Sequence, residues 1–208
     1  MQQIHKEYAP ETADPNGVCL SQTPLAAGDL TIAGALASDG VATFDIPRHV
    51  SITAAGDDST SSFTITGTGR NGVALSEVIA GANATIAIGT KNFKTVTGVA
   101  IAAASVGAIT VGSSASFDSP VIPVDSGERP FAHSVVQSGT LTHSFVYTMD
   151  DVFAADFDES AAGWNENGGE KSADFASTID TPVTGVRLVV TAVAASASLV
   201  LNFLSTRR

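Results

Sequence analysis

Residues 67–72 read GTGRNG, the G-x-G-x-x-G spacing that cradles a dinucleotide pyrophosphate when it joins a strand to a helix. A strand-like run, SSFTIT, precedes it. The other two supports are missing. The following VALSEVIAG alternates Val73, Leu75, Glu77 and Ile79 as a strand does and stops at Gly81, too short for a helical crossover to a parallel strand. About 20 residues on, where an acid should meet the ribose, stands IAIGTKNFK, with no Asp or Glu. The expectation is a hairpin whose turn uses Asn71 and Gly72 for positive φ.

Asp150, Asp151, Asp156, Asp158 and Glu159 offer hard oxygen ligands, but without the ordered spacing, central glycine and closing glutamate of a calcium loop. They read as a solvated loop face, with Asp150 and Asp151 as cap or turn residues before VFAA. His133 and His143, ten apart, face each other only if their strands form a hairpin, and no third ligand accompanies them. His5 and His49 stand alone. Serine is abundant, yet no G-x-S-x-G elbow is present. The residues name no catalytic, cofactor or metal site, and the expectation is a protein that is not an enzyme. The single cysteine, Cys19, allows no intramolecular disulfide and reads as a small apolar residue.

The elements that would position these residues are strands. The chain has 208 residues, 44% hydrophobic and only 15% charged, so Ser, Thr, Asn and Gly must supply much of the polar surface. From Asp29 onward, DLTIAGAL, VATFDIP, HVSITAAG, SSFTITGTG, ATIAIGTK and GAITVGSS succeed one another, each closed by a turn residue. Short β-rich runs at such intervals predict an all-β fold of sandwich modules, Ig-like or jelly-roll-like. Phe63 and Ile65 share one face, Thr64 and Thr66 the other.

Residues 1–28, polar and proline-punctuated, read as an extended N-terminal arm whose Tyr8, Pro10, Pro15 and Pro24 are candidate interface residues. Residues 29–113 form the first β module, 114–130 a proline-rich linker, and 131–208 a second β-rich module carrying a long polar loop, 150–174. Within the loop, VFAADFDESAAGW has room for one or two helical turns. Trp164, the only tryptophan, is either a local anchor for the loop or an intersubunit contact. The apolar run 188–204 contains Ser196, Ser198 and Asn202 and reads as a hairpin rather than a membrane span. The net charge of −11, with scattered basic residues, argues against nucleic acid as a partner.

Two stretches carry a resemblance. VSITAAGDDSTSSFTITGTGRNGVALSEVIAGANATIAIGTKNFKTVTGVAIAAASVGAITVG, residues 50–112, looks like a β module of tailed-bacteriophage structural proteins. SGTLTHSFVYTMDDVFAADFDESAAGWNE with TPVTGVRLVVTAV, within residues 138–193, is similar to the C-terminal part of small phage proteins. The resemblance implies a virion component, assembled in the host cytoplasm, and transfers no catalytic residue. The leading expectation is a capsid decoration or cement protein, a trimer that binds the major capsid protein and its own copies through arm and loop. The alternatives are a tail or neck subunit (a ring, tube-associated or fibre-attachment protein) and a carbohydrate-binding module, for which the aromatic content is low.

Overall fold

The computed structural model describes residues 2–124, 131–159 and 161–205. The protein is all-β, and no helix occurs among the described residues. The chain divides into two compact units. Ala13–Phe117 form the N-terminal unit, and Met1–Thr12 join Asp118–Arg208 in the C-terminal unit. The boundaries expected at 28/29 and 113/114 are therefore corrected to 12/13 and 117/118.

The first strand, β1 (Gln2–Tyr8), runs antiparallel to the last and belongs to the C-terminal unit. The expected arm 1–28 is thus divided, because its backbone groups find ladder partners at both ends. Its second part supplies β2 (Cys19–Gln22) and β3 (Gly28–Asp29) to the N-terminal unit. There follow β4 (Ala37–Ser38), β5 (Val41–Arg48), β6 (Val50–Ala54), β7 (Ser62–Thr68), β8 (Ala74–Ala80), β9 (Ile86–Ile88), β10 (Phe93–Ile101) and β11 (Ile109–Ser113).

One sheet of this unit has the order β4-β5-β10-β7-β8, with β3 also on β10; the other is β2-β11-β6-β9. Alternation along β7 buries Phe63 and Ile65 completely, as the sequence predicts, and they join Phe44, Ile52, Phe93 and Val111 in one apolar core fed by both sheets. The GTGRNG segment is the turn of the β7–β8 hairpin: Gly69 N donates to Val73 O at 2.9 Å, and Gly72 takes φ +73°. The outer side of β8 is covered in part by the chain itself. Glu77 accepts from Thr90 N at 2.6 Å and Thr90 Oγ1 at 2.9 Å, and Lys91 Nζ donates to Ser76 O at 3.0 Å. Occupied backbone carbonyls and a charge at a sheet edge discourage adventitious pairing.

The remaining strands are β12 (Phe117–Asp118), β13 (Ile122–Pro123), β14 (Phe131–Ser138), β15 (Leu141–Thr148), β16 (Trp164–Glu166), β17 (Phe175–Ile179), β18 (Gly185–Val193) and β19 (Ser198–Ser205). They form the sheets β1-β19-β14-β17 and β12-β18-β15-β16, with β13 also on β18. The linker expected at 114–130 is corrected in part. Both β12 and β13 lie within it, Phe117 and Ile122 are buried, and Ser119 exchanges bonds with Leu188 at 2.8 and 2.9 Å. Residues 125–130 lie outside the described residues.

The hairpin expected over 188–204 is also corrected. β18 pairs with β15 and β19 with β14 and β1, so the turn at 194–197 carries the chain from one sheet to the other. The turn at 139–140 does the same between β14 and β15. The two turns touch: Ala194 N donates to Thr140 O at 2.9 Å. Each strand then sends its apolar face into the space between the sheets, where Leu188, Val190, Leu199, Leu201 and Phe203 are almost wholly buried. No helix among the described residues is long and apolar enough to cross a membrane.

Candidate interaction surface

The longest excursion from the C-terminal unit's sheets leaves β15 at Thr148 and returns at Trp164, two residues that face each other in the β15–β16 register. Short bonds close it. Asp150 N donates to Thr148 Oγ1 at 3.1 Å, and Asp150 Oδ2 accepts from Gly163 N at 2.7 Å. Asp151 Oδ1 accepts from Phe153 N at 3.0 Å, and the Asp151 carbonyl accepts from Ala154 N at 3.2 Å. Asp158 O accepts from Ala161 N and Ala162 N, both at 3.1 Å. The helical turns expected in VFAADFDESAAGW are absent among the described residues. Single turns replace them, and at the first the Asp151 carboxylate takes the Phe153 amide that a helix would leave for its own ladder. Asp151 is the turn residue expected before VFAA, whereas the Asp150 carboxylate bonds across the mouth of the loop to Gly163.

Trp164 is the anchor of this loop. It is half-buried, and its indole Nε1 donates to Glu159 O at 2.9 Å. The Arg187 guanidinium lies 4.2 Å from the ring centroid and pairs with Asp118 at 3.0 Å. A cation held between a carboxylate and an aromatic face fixes both partners. The indole face toward Arg187 is therefore engaged within the chain.

The loop turns other side chains outward. Phe153 is 67% exposed and Met149 57%, and Asp150, Asp151, Asp156 and Asp158 are exposed with them. No Lys or Arg occurs from Met149 to Gly163. An aromatic side chain on a loop held by its own hydrogen bonds is preorganised for contact, because little ordering entropy remains to be lost on docking. Sequence reasoning passed over Phe153 and Met149 in favour of Trp164. The available signal was an apolar pair in an acid-rich stretch lacking strand alternation.

The other candidate interface residues are dispersed. Tyr8 ends β1 opposite Leu199 and is half-buried; Pro10 is buried. Pro15 is exposed and Pro24 half-buried in the N-terminal unit, where the Pro24 carbonyl accepts from Ser105 N at 2.9 Å. Cys19 is wholly buried, and desolvation pushes its thiol up to about 12. No group of three or more His, Cys, Asp or Glu side chains among the described residues is placed to hold a metal ion.

His133 and His143 lie on strands of different sheets and so do not face each other across a hairpin. His133, 4% exposed, stacks on Phe145 with centroids 3.7 Å apart and rings 12° from parallel. Burial lowers its pKa to about 4. His143 is fully buried, and burial, the largest influence, lowers its pKa as well; Asp174 acts in the opposite sense and Lys171 in the same sense. Two neutral imidazoles in a hydrophobic core do not by themselves make a reactive site.

No protein-family model matches this chain. No curated protein matches it either.

Proposed function

We propose that this chain is a non-enzymatic structural subunit of a tailed-phage virion, built from β-sandwich modules of the Ig-like or jelly-roll-like kind. In this reading it decorates the capsid, binding the major capsid protein and copies of itself as a trimer. The observation that carries the reading is the 149–163 loop, a closed and self-bonded projection that holds Phe153 and Met149 in solvent. A low-charge β surface and the resemblance of residues 50–112 and 138–193 to phage structural proteins support it. Because residues 2–8 pair within the chain, the loop takes the contact role that an extended arm would have had.

The test is the copy number in purified virions by quantitative mass spectrometry. A simple ratio to the major capsid protein supports decoration of the head lattice. A copy number equal to one or a few symmetric rings supports a tail or neck subunit instead. Absence from the particle overturns the virion reading.

A further inference from the structure

The connection from β16 to β17, residues 167–174, passes from one sheet of the C-terminal unit to the other and is bonded to both. On β15, Asn167 N donates to Phe145 O at 2.9 Å, His143 N to Lys171 O at 2.8 Å, and Lys171 N to His143 O at 2.7 Å. On β14, Gln137 N donates to Asp174 Oδ1 and Gln137 Nε2 to Ser172 O, both at 2.9 Å. On β18, Thr191 Oγ1 donates to Glu170 Oε1 at 2.5 Å. Gly168 sits at φ +84°, and a Cβ there would come within 2.6 Å of the Phe175 ring, so the turn needs glycine twice over.

This connection bridges to one buried histidine and leads into a ring that meets a second. Its Lys171 forms the backbone bridge to His143, whose two ring nitrogens have no hydrogen-bond partner among the described residues. Its last residue leads into Phe175, whose ring lies 5.7 Å from that of His133 and 5.0 Å from the Lys171 ammonium. The charged groups around them are few. The connection brings Glu170, Lys171 and Asp174; β16 brings Glu166; β18 brings Arg187, already engaged with Asp118 and Trp164. Strand β14 adds no other titratable group, β15 adds Tyr147 at its far end, and β17 and the described side chains of β19 add none. Of these, Asp174 favours a charged His143 and Lys171 opposes it.

We infer that residues 167–174 are an acid-releasable clasp: charging of His133 and His143 drives the segment off β14 and β15 and uncovers the stacked His133 and Phe145 rings and Phe175 beside them. A buried imidazolium at His143 finds no hydrogen-bond acceptor among the described residues, whereas the opened segment hydrates it. Both pKa values are lowered in the closed form, so the open form binds more protons. The closed form holds fully above the ordinary histidine value of 6.5. It is lost progressively as pH falls from there toward about 4, the value for His133. This device does not depend on the virion reading.

Hydrogen–deuterium exchange on the intact chain, corrected for the intrinsic pH dependence, tests it. Protection of the peptides holding Gln137, His143, Asn167 and Lys171 should fall roughly a hundredfold between pH 7.5 and 4.5, while β6 and β11 of the N-terminal unit keep theirs. In the double variant His133→Phe/His143→Leu, which keeps an aromatic stack and cannot charge, the fall should vanish. A flat wild-type profile, or an undiminished fall in the double variant, overturns the inference. If that variant does not fold at neutral pH, NMR titration of the wild-type imidazoles decides. Protonation concurrent with loss of those amides supports the clasp, and protonation while they stay protected overturns it.

Discussion

The two units share a plan, two antiparallel sheets enclosing side chains from both, and differ in what they enclose. The N-terminal core is apolar throughout. The unit's buried charged residues are Arg48, at 1% exposure and bonded to Asp45 at 2.7 and 2.8 Å, and Asp58, whose Oδ1 accepts from Val106 N at 2.8 Å. An arginine keeps its charge at every pH a protein meets. The C-terminal core instead encloses His133 and His143, which burial keeps uncharged below the ordinary histidine range. The buried histidine pair therefore makes the C-terminal unit the one expected to weaken in mild acid, although fold class and strand content give no hint of the difference.

The severest way to sharpen the comparison is Phe145→Ala. It removes a ring that stacks on His133 and meets Phe203 edge-on at 6.2 Å. Loss of a buried phenylalanine costs about 3–5 kcal/mol. Calorimetry should show the C-terminal transition falling while the N-terminal one stays in place. Asp45→Ala is the counterpart in the other unit. It strips the buried Arg48 of its carboxylate, and an uncompensated buried charge costs roughly 3 kcal/mol. Here chemical denaturation should find the N-terminal unit alone weakened.

Acid comes next in size. His133, neutral in the folded unit down to about pH 4 and ordinary at 6.5 when unfolded, withdraws about 2 kcal/mol from the C-terminal unit on going from pH 7 to 5. Urea titrations at the two pH values measure it. Asp57 of the N-terminal unit is lowered by bonds from the Ser59 hydroxyl and amide, so its contribution is present above 3.8 and lost only as pH falls below that. It leaves the histidine window untouched. The smallest effect is Trp164→Ala, which deletes the bond to Glu159 O and the face under Arg187, at about 1–2 kcal/mol. Limited proteolysis should then cut within 149–163 before any strand is lost.

Strand content was legible in the residues because alternation such as Phe63-Thr64-Ile65-Thr66 states which face is buried. The GTGRNG turn was legible too, since its flanks lack a helix and an acid. Partner choice was not. A turn at 139–140 or 194–197 joins two strands equally well as a hairpin or as a crossover between sheets, and only the summed burial of both strands decides. The pairing of β1 with β19, nearly two hundred residues away, leaves no local trace, so its polar edge-strand sequence read as an arm. Trp164 was legible as an anchor, but its partners Arg187 and Asp118 come from distant strands. With the indole occupied, the exposed Phe153 becomes the residue to watch.

The most direct test of the contrast between the units is calorimetry of the intact chain at pH 7 and pH 5. Two transitions are expected, with the C-terminal one moving down in acid and the N-terminal one, identified by its response to Asp45→Ala, holding still. A single transition that moves as a whole, or two that move together, would contradict the account.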